Sequence, residues 1–185
     1  MCIRDRKHLI LIRHGQSEWN QQKRFTGWVD VGLTDKGRAE AKKAGELIKE
    51  KKIKLDSFYS SYQKRANDTL KIVMKELNED ENLITKKWQL NERHYGELTG
   101  LNKEDMKKKY GEEKIHQFRR SWDVKPGALD RKSPYHPLNI ETYKDIPATD
   151  IPDTESLKDT HKRVVDCYNE LILKDLKNGK GVCVS

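Results

Sequence analysis

Arg13, His14 and Gly15 stand in succession directly after an apolar run, Leu9 to Ile12. A neutral imidazole can attack phosphorus and hold the group as a phosphohistidine, which divides one difficult transfer into two easier ones. Arg13 offers a planar fork of donors suited to phosphate. Gly15 lets backbone approach a ligand closely, and Ser17 and Asn20 follow with small polar groups. A lone histidine at a strand end is more often a packed core residue. Here its neighbours favour an anion site.

Arg65 strengthens that reading. It falls in the first turns of a helix predicted to begin near Ser61, where a cation opposes the helix dipole at a cost of about 0.3–1 kcal/mol. An anion bound at that terminus reverses the sign, because backbone N–H groups and the arginine then share it. Glu92, in the string Asn91-Glu92-Arg93-His94-Tyr95-Gly96, is the candidate proton carrier. Transfer between hydroxyls needs a group to take and return a proton, and a nearby dianion raises a carboxylate pKa toward neutrality. His94 reads as packing, not catalysis. Arg93, Lys103, Arg119 and Arg120 are candidates to complete a basic pocket. Together with Arg13 and Arg65 they account for most of the formal charge of +8. Lys107-Lys108-Lys109, by contrast, reads as a solvated helix face.

The elements that must position these groups alternate. Leu9 to Ile12 reads as a strand buried on both faces, and Phe58-Tyr59-Ser60 as a second. Ala41, Ala44, Gly45 and Ile48 repeat at helical spacing behind a Thr34 cap. Ala66, Leu70, Val73, Met74 and Leu77 make the next stripe, with Ser60 and Gln63 at capping-box spacing. Leu83 to Trp88 reads as extended. A helix from about Asn102 is predicted to stop at Gly111, with Ile115, Phe118 and Trp122 continuing at helical spacing. All five prolines lie between Pro126 and Pro152, so that stretch reads as an irregular excursion outside the core. The clearest helix runs from Leu157 past Ile172 to Asn178-Gly179, and Val182-Cys183-Val184 opens another strand. Strands alternating with amphipathic helices predict a three-layer α/β/α fold with a mostly parallel central sheet. Ligands of such sheets sit beyond the carboxyl ends of the strands, where Arg13-His14-Gly15 and Ser60-Ser61 fall.

Composition narrows the classes. At 185 residues the chain fits one domain with a real core, assigned to residues 7–185, with Met1 to Arg6 read as a non-native or disordered tail. No apolar run approaches the roughly 20 residues of a membrane span. Cys2, Cys167 and Cys183 are scattered, which argues against a disulfide framework or zinc site and for a reducing, cytoplasmic setting. The positive charge points to anionic partners without choosing among them.

The strings LIRHGQSEWN (Leu11 to Asn20), RFTGWVDVGLTDKG (Arg24 to Gly37), LNERHYGELTGLNK (Leu90 to Lys103), KYG (Lys109 to Gly111), FRRSW (Phe118 to Trp122) and Glu155-Ser156-Leu157 closely resemble the bisphosphoglycerate-dependent phosphoglycerate mutases of the histidine phosphatase superfamily. Arg-His-Gly alone would mark only the superfamily; the longer strings are far more specific. The resemblance implies that His14 is phosphorylated and that Glu92 is the proton donor and acceptor. It implies that Arg13 and Arg65 hold the transferred group with Ser17 and Asn20, and that Thr26 and Gly27 line the substrate pocket. Arg93, Tyr95, Lys103, Arg119 and Arg120 match positions that bind the substrate's remaining anionic groups. The implied reaction interconverts 3-phosphoglycerate and 2-phosphoglycerate, a glycolytic and gluconeogenic step, through 2,3-bisphosphoglycerate, which also primes the enzyme. No metal is required, because arginines supply the charge stabilisation.

One departure stands out. The family carries a second catalytic histidine in an Ala-His-Gly-Asn motif at the end of the strand entered at Val182, and the sequence reaches Ser185 before it. On that reading the fold is incomplete at the C-terminus. A chain without that imidazole is expected to be weak or inactive, since one positioned donor is worth about 10²–10³ in rate. The runner-up is a histidine-type phosphatase of the same superfamily, with water as acceptor; net bisphosphoglycerate synthesis is another emphasis of the same pocket, and an inactive scaffold a third reading. A basic nucleic-acid-binding module has the charge but no helix-turn-helix, zinc or aromatic-basic motif. Relatives are often dimers or tetramers, which leaves a homo-oligomer open.

Overall fold

The computed structural model describes residues 8–185; the tail assigned to Met1–Arg6 lies outside them. Four strands, β1 (Leu9–Leu11), β2 (Ser57–Ser60), β3 (Ile84–Lys86) and β4 (Val182–Val184), form one sheet in the order β1-β4-β2-β3. Every pairing is parallel. The helices are α1 (Glu18–Gln21), α2 (Asp35–Glu50), α3 (Lys64–Leu77), α4 (Lys103–Tyr110), α5 (Glu112–Arg120), α6 (Leu157–Cys167) and α7 (Leu173–Lys177), with a π turn at Tyr168–Ile172 joining the last two.

The two faces of the sheet are covered unequally. On one, Phe58 and Cys183, flanked by Ile10 and Ile84, pack under Ile48 of α2 and Leu70, Val73 and Met74 of α3. On the other, Tyr59 and Val182 pack under Ile172, Tyr168, Leu171 and Leu176 from the α6–α7 rod. That rod does not reach the edge strand. Leu11 is 73% exposed and Leu9 37%, so the expectation that this run is buried on both faces fails for one face. Periodicity in a short apolar run shows a strand but not what lies over it.

Three other expectations are corrected. Ser60 and Gln63 form no capping box, and the Gln63 side chain makes no cap bond to α3. Instead the Lys64 N–H at that terminus donates to Asp30 Oδ1 at 2.6 Å, while the Gln63 amide is drawn into the site described below. Trp122 lies beyond α5 and is exposed. The proline-bearing excursion is irregular, but it belongs to the core: Tyr143, Ile146 and Ile151 pack with Trp28, and the Tyr143 hydroxyl donates to the Trp28 carbonyl at 2.6 Å. Lacking regular periodicity, such a segment shows no buried face in its sequence, yet its aromatic and branched side chains still remove apolar area from water.

Beyond the carboxyl ends of the strands lies a satellite core of Phe25, Leu98, Ile115 and Phe118. It anchors α4 and α5, and so sets the position of Lys103 and Arg119. Asn102 caps α4 through its side chain, and Gly111 takes φ 84° between the two helices.

Candidate active site

His14 lies just past the end of β1, and the turn that presents it depends on close backbone contact. A Cβ at Gly15 would come within 2.1 Å of the Gly37 carbonyl oxygen, and one at Gly37 within 2.1 Å of the Gln16 oxygen. Gly15 thus admits the first turn of α2, not a ligand as its sequence position suggested. The Gly15 N–H donates to Thr69 Oγ1 at 3.2 Å, and the Thr69 hydroxyl donates to the Arg65 carbonyl at 2.8 Å. The histidine turn is thereby tied to α3.

The tautomer of His14 follows from its neighbour. Nδ1 sits 2.7 Å from the Gly15 carbonyl oxygen, which only accepts, so Nδ1 carries the proton and Nε2 keeps its lone pair. Burial, then the Arg65 charge, lowers the His14 pKa; the Gly15 carbonyl and Glu92 oppose the shift. The ring is therefore neutral at physiological pH, as a nucleophile must be.

Arg65 is fully buried in the first turn of α3, and its donors are taken up. Nε points at His14 Nε2 at 3.3 Å, and one terminal nitrogen donates to the Val29 carbonyl at 3.0 Å. The other reaches the Gly27 carbonyl at 2.9 Å, Gln63 Oε1 at 3.1 Å and Glu92 Oε2 at 2.7 Å. A buried guanidinium left unpartnered costs several kcal/mol; here one carboxylate and two carbonyls hold it. Gly27, at φ 55°, turns its carbonyl toward this arginine, and Gln63 Nε2 donates to the same oxygen at 2.8 Å. Gln63 Oε1 also accepts from the Glu92 N–H at 3.2 Å. Gln63 thus joins three parts of the site, a role hidden in the sequence behind its apparent capping position.

His14, Arg13, Asn20, Gln63 and Glu92 share the wall of one cavity. An adjoining cavity has Arg13, His14 and Asn20 on its wall as well, and adds Lys103. Arg13 is exposed and bridges the two. Lys103 has its pKa lowered by burial and then by Arg119. Arg93 lies over the Tyr95 ring at 5.0 Å and donates to the Arg119 carbonyl at 2.8 Å. Its other terminal nitrogen is buried without a partner among the described residues. Burial, then Glu92, raises the Tyr95 pKa, so the phenol keeps its proton.

The remaining sequence candidates sit further out. Ser17 is buried, and its hydroxyl caps α1 by accepting from the Asn20 N–H at 3.2 Å. Thr26 is buried and faces neither cavity wall. Arg120 is exposed at the end of α5. Sequence reasoning missed Gln63 and Thr69 as site residues, and with them a buried pair, Arg163 and Glu155. Glu155 stood in a recognisable Glu-Ser-Leu string, whereas Arg163 gave no signal. Among the described residues, no cluster of His, Cys, Asp and Glu is arranged to hold a metal ion.

Comparison with known proteins identifies the family. Residues 9–136 match the model of the histidine phosphatase superfamily (branch 1). The 2,3-bisphosphoglycerate-dependent phosphoglycerate mutase of Pelagibacter ubique (strain HTCC1062) is 64% identical over 178 residues, covering 96% of this chain and 74% of that protein. The protein of the same name from Borreliella burgdorferi (strain ZS7) is 48% identical over 177 residues, covering 96% and 71%. In fold, the chain resembles the mycobacterial glucosyl-3-phosphoglycerate phosphatase with a TM-score of 0.71 at 20% identity, covering 97% of this chain and 75% of that one. A buried arginine pairing a neutral histidine with a carboxylate, and an identity this high across nearly all of the sequence, lead to one assignment: the chain belongs to the 2,3-bisphosphoglycerate-dependent phosphoglycerate mutases of the histidine phosphatase superfamily.

Proposed function

We propose that this chain interconverts 3-phosphoglycerate and 2-phosphoglycerate by phosphoryl relay through His14, as one catalytic domain over residues 7–185 in the cytoplasm. Among the described residues no helix is long and apolar enough to cross a membrane. The observation that carries the proposal is the neutral Nε2 of His14, held 3.3 Å from a buried guanidinium that also grips Glu92.

The chain's own groups divide the work. His14 Nε2 uses its lone pair to attack phosphorus, and the Arg65 and Arg13 charges stabilise the oxygens of the moving group. As the P–O bond to the sugar acid breaks, Glu92 gives its proton to the departing alkoxide. On the return step it takes the proton from the attacking hydroxyl, so each half-reaction leaves the carboxyl ready for the next. Asn20 sits on the shared wall as a neutral donor, with Ser17 fixing its turn. Lys103, Arg93 and Arg119, with Tyr95, form the second basic side and Arg120 its outer margin, while Gly27, next to Thr26, acts through its carbonyl on Arg65.

The residues present fit a ligand with two separated anionic groups. One terminal nitrogen of Arg93, buried with no partner among the described residues, calls for an acceptor, and Lys103 shares a cavity wall with His14. Bound 2,3-bisphosphoglycerate supplies the phosphoryl group that first loads His14.

The test is direct. After exposure to 2,3-bisphosphoglycerate, mass spectrometry at neutral pH is expected to find one added phosphoryl group on His14, absent in His14→Ala. With 3-phosphoglycerate present, 2-phosphoglycerate accumulates and free phosphate stays low. An unmodified His14, or rapid multiple-turnover phosphate release, overturns the proposal.

A further inference from the structure

We propose that Arg163 and Glu155 act as positioning residues for proton transfer, fixing the main chain that carries Glu92; this rests on Glu92 being the proton carrier. Glu92 lies in irregular chain between the short turns Trp88–Leu90 and Gly96–Leu98. No strand ladder or helix holds it, so its buried polar groups must find partners in side chains.

Arg163, on α6, supplies them. Its Nε donates to Glu155 Oε1 at 2.7 Å and one terminal nitrogen to Oε2 at 2.9 Å, a two-pronged pair. The side chains are 10% and 4% exposed. The remaining donors go to consecutive stretches of the Glu92 segment: the carbonyls of Gln89 at 2.6 Å, Asn91 at 2.8 Å and Glu92 itself at 3.1 Å. Glu155 completes the hold from the far side. Its Oε2 accepts from the His94 N–H at 2.8 Å, and its own N–H donates to the His94 carbonyl at 3.1 Å. Backbone is therefore pinned on both flanks of Glu92, while Gln63 holds the Glu92 N–H from the catalytic side.

The pair touches no reacting group. Arg163 lines a groove with Trp88, Gln89 and Asp166 that contains neither His14 nor Glu92. Its guanidinium also lies 5.6 Å from the Trp28 ring, and the carbonyls of the flanking residues Gly27 and Val29 accept from Arg65. One side chain thus indexes the proton carrier against the loop that seats the phosphoryl-binding arginine. A misplacement of about 1 Å at such a centre costs around 10²-fold in rate.

A double-mutant cycle tests this in the whole protein. Arg163→Met is expected to lower kcat by about 10–100-fold with KM changed less than about threefold, and Arg163→Lys, which cannot span the same acceptors, to recover only part. In a Glu92→Gln background the same Arg163→Met change is expected to leave the residual rate unaltered, because there is no proton carrier left to misplace. Should Arg163→Met fail to fold, Glu155→Gln, which keeps shape and one acceptor, runs through the same cycle. Equal losses in both backgrounds, or a parental kcat in Arg163→Met and Glu155→Gln, overturn the positioning role. A parental kcat in Glu92→Gln alone instead removes the catalytic assignment on which it rests.

Discussion

The His14 side and the basic side of the cavity use the same kinds of residue in opposite ways. On the His14 side, Arg65 is fully buried and every nitrogen of its guanidinium already has a protein partner. Arg13, exposed, borders both sides; on the basic side Lys103 is half-buried and Arg93 has a buried nitrogen with no partner among the described residues. The first arrangement is finished before any ligand arrives; the second needs an anion to complete it. Transition-state stabilisation requires groups that do not reorganise during reaction, whereas groups that hold the ligand throughout contribute equally to ground and transition states. The contrast therefore separates kcat from KM, residue by residue.

The largest effect that can break this contrast belongs to Glu92. Glu92→Gln keeps shape and hydrogen bonding but cannot shuttle a proton, so kcat is expected to fall by about 10²–10⁴ with KM nearly unchanged, read in a coupled assay. A parental kcat would place the proton carrier elsewhere. Next comes Arg65→Lys. An ammonium retains the charge but cannot reach His14, Val29, Gly27 and Glu92 together, so kcat is expected to fall about 10²–10³, with a lower Tm by calorimetry. A rise in KM alone would mean that Arg65 behaves as Lys103 is expected to.

How much of this was legible beforehand depends on distance along the chain. His14, Arg13, Arg65 and Glu92 stood out because each lies in a short string or at the head of a periodic helix. The fold class followed from the alternation of apolar runs with helical stripes, and the π turn at Tyr168–Ile172 did not disturb the spacing of the last one. What escaped was long-range. The carbonyls that receive Arg65 come from a loop 36 and 38 residues away, and Tyr143 braces that loop from 115 residues away. Backbone acceptors carry no residue signature, so no local pattern could reveal them. The doubly buried reading of Leu9 to Ile12 failed for a related reason, since neighbours over a strand belong to other segments. Gln63 misled because its spacing from Ser60 suited a local cap, while its amide found Gly27 and Glu92 across the fold and Arg65 two residues on.

A smaller effect sharpens the other half of the contrast. Lys103→Met is expected to raise KM by about tenfold, the worth of one charge-assisted hydrogen bond at roughly 1.5 kcal/mol, while kcat holds within about twofold. The difference should shrink as ionic strength rises, because this side is open to screening. A fall in kcat with unchanged KM would merge Lys103 with the finished half.

The smallest effect concerns the ground beneath the finished half and leaves neutral-pH turnover alone. His94 is fully buried; its Nδ1 accepts from the Gly96 N–H at 2.9 Å, and its Nε2 has no partner among the described residues. Burial, reinforced by His136 and opposed by Asp153, pushes its pKa down to about 3. The sign follows from proton counting: between pH 6.5 and about 3 the unfolded chain binds a proton at this histidine that the folded chain refuses. Acid therefore favours unfolding, by about 1.4 kcal/mol for each pH unit below 6.5 within that window. His94→Gln preserves an acceptor for Gly96 and does not titrate. Its intrinsic stability will differ, but its loss between pH 7 and pH 5 in urea titrations is expected to be smaller than the parent's by about 2 kcal/mol. Parallel pH profiles would mean that His94 is protonated as readily in the fold as out of it, and that the floor under Glu92 is wetter than its burial indicates.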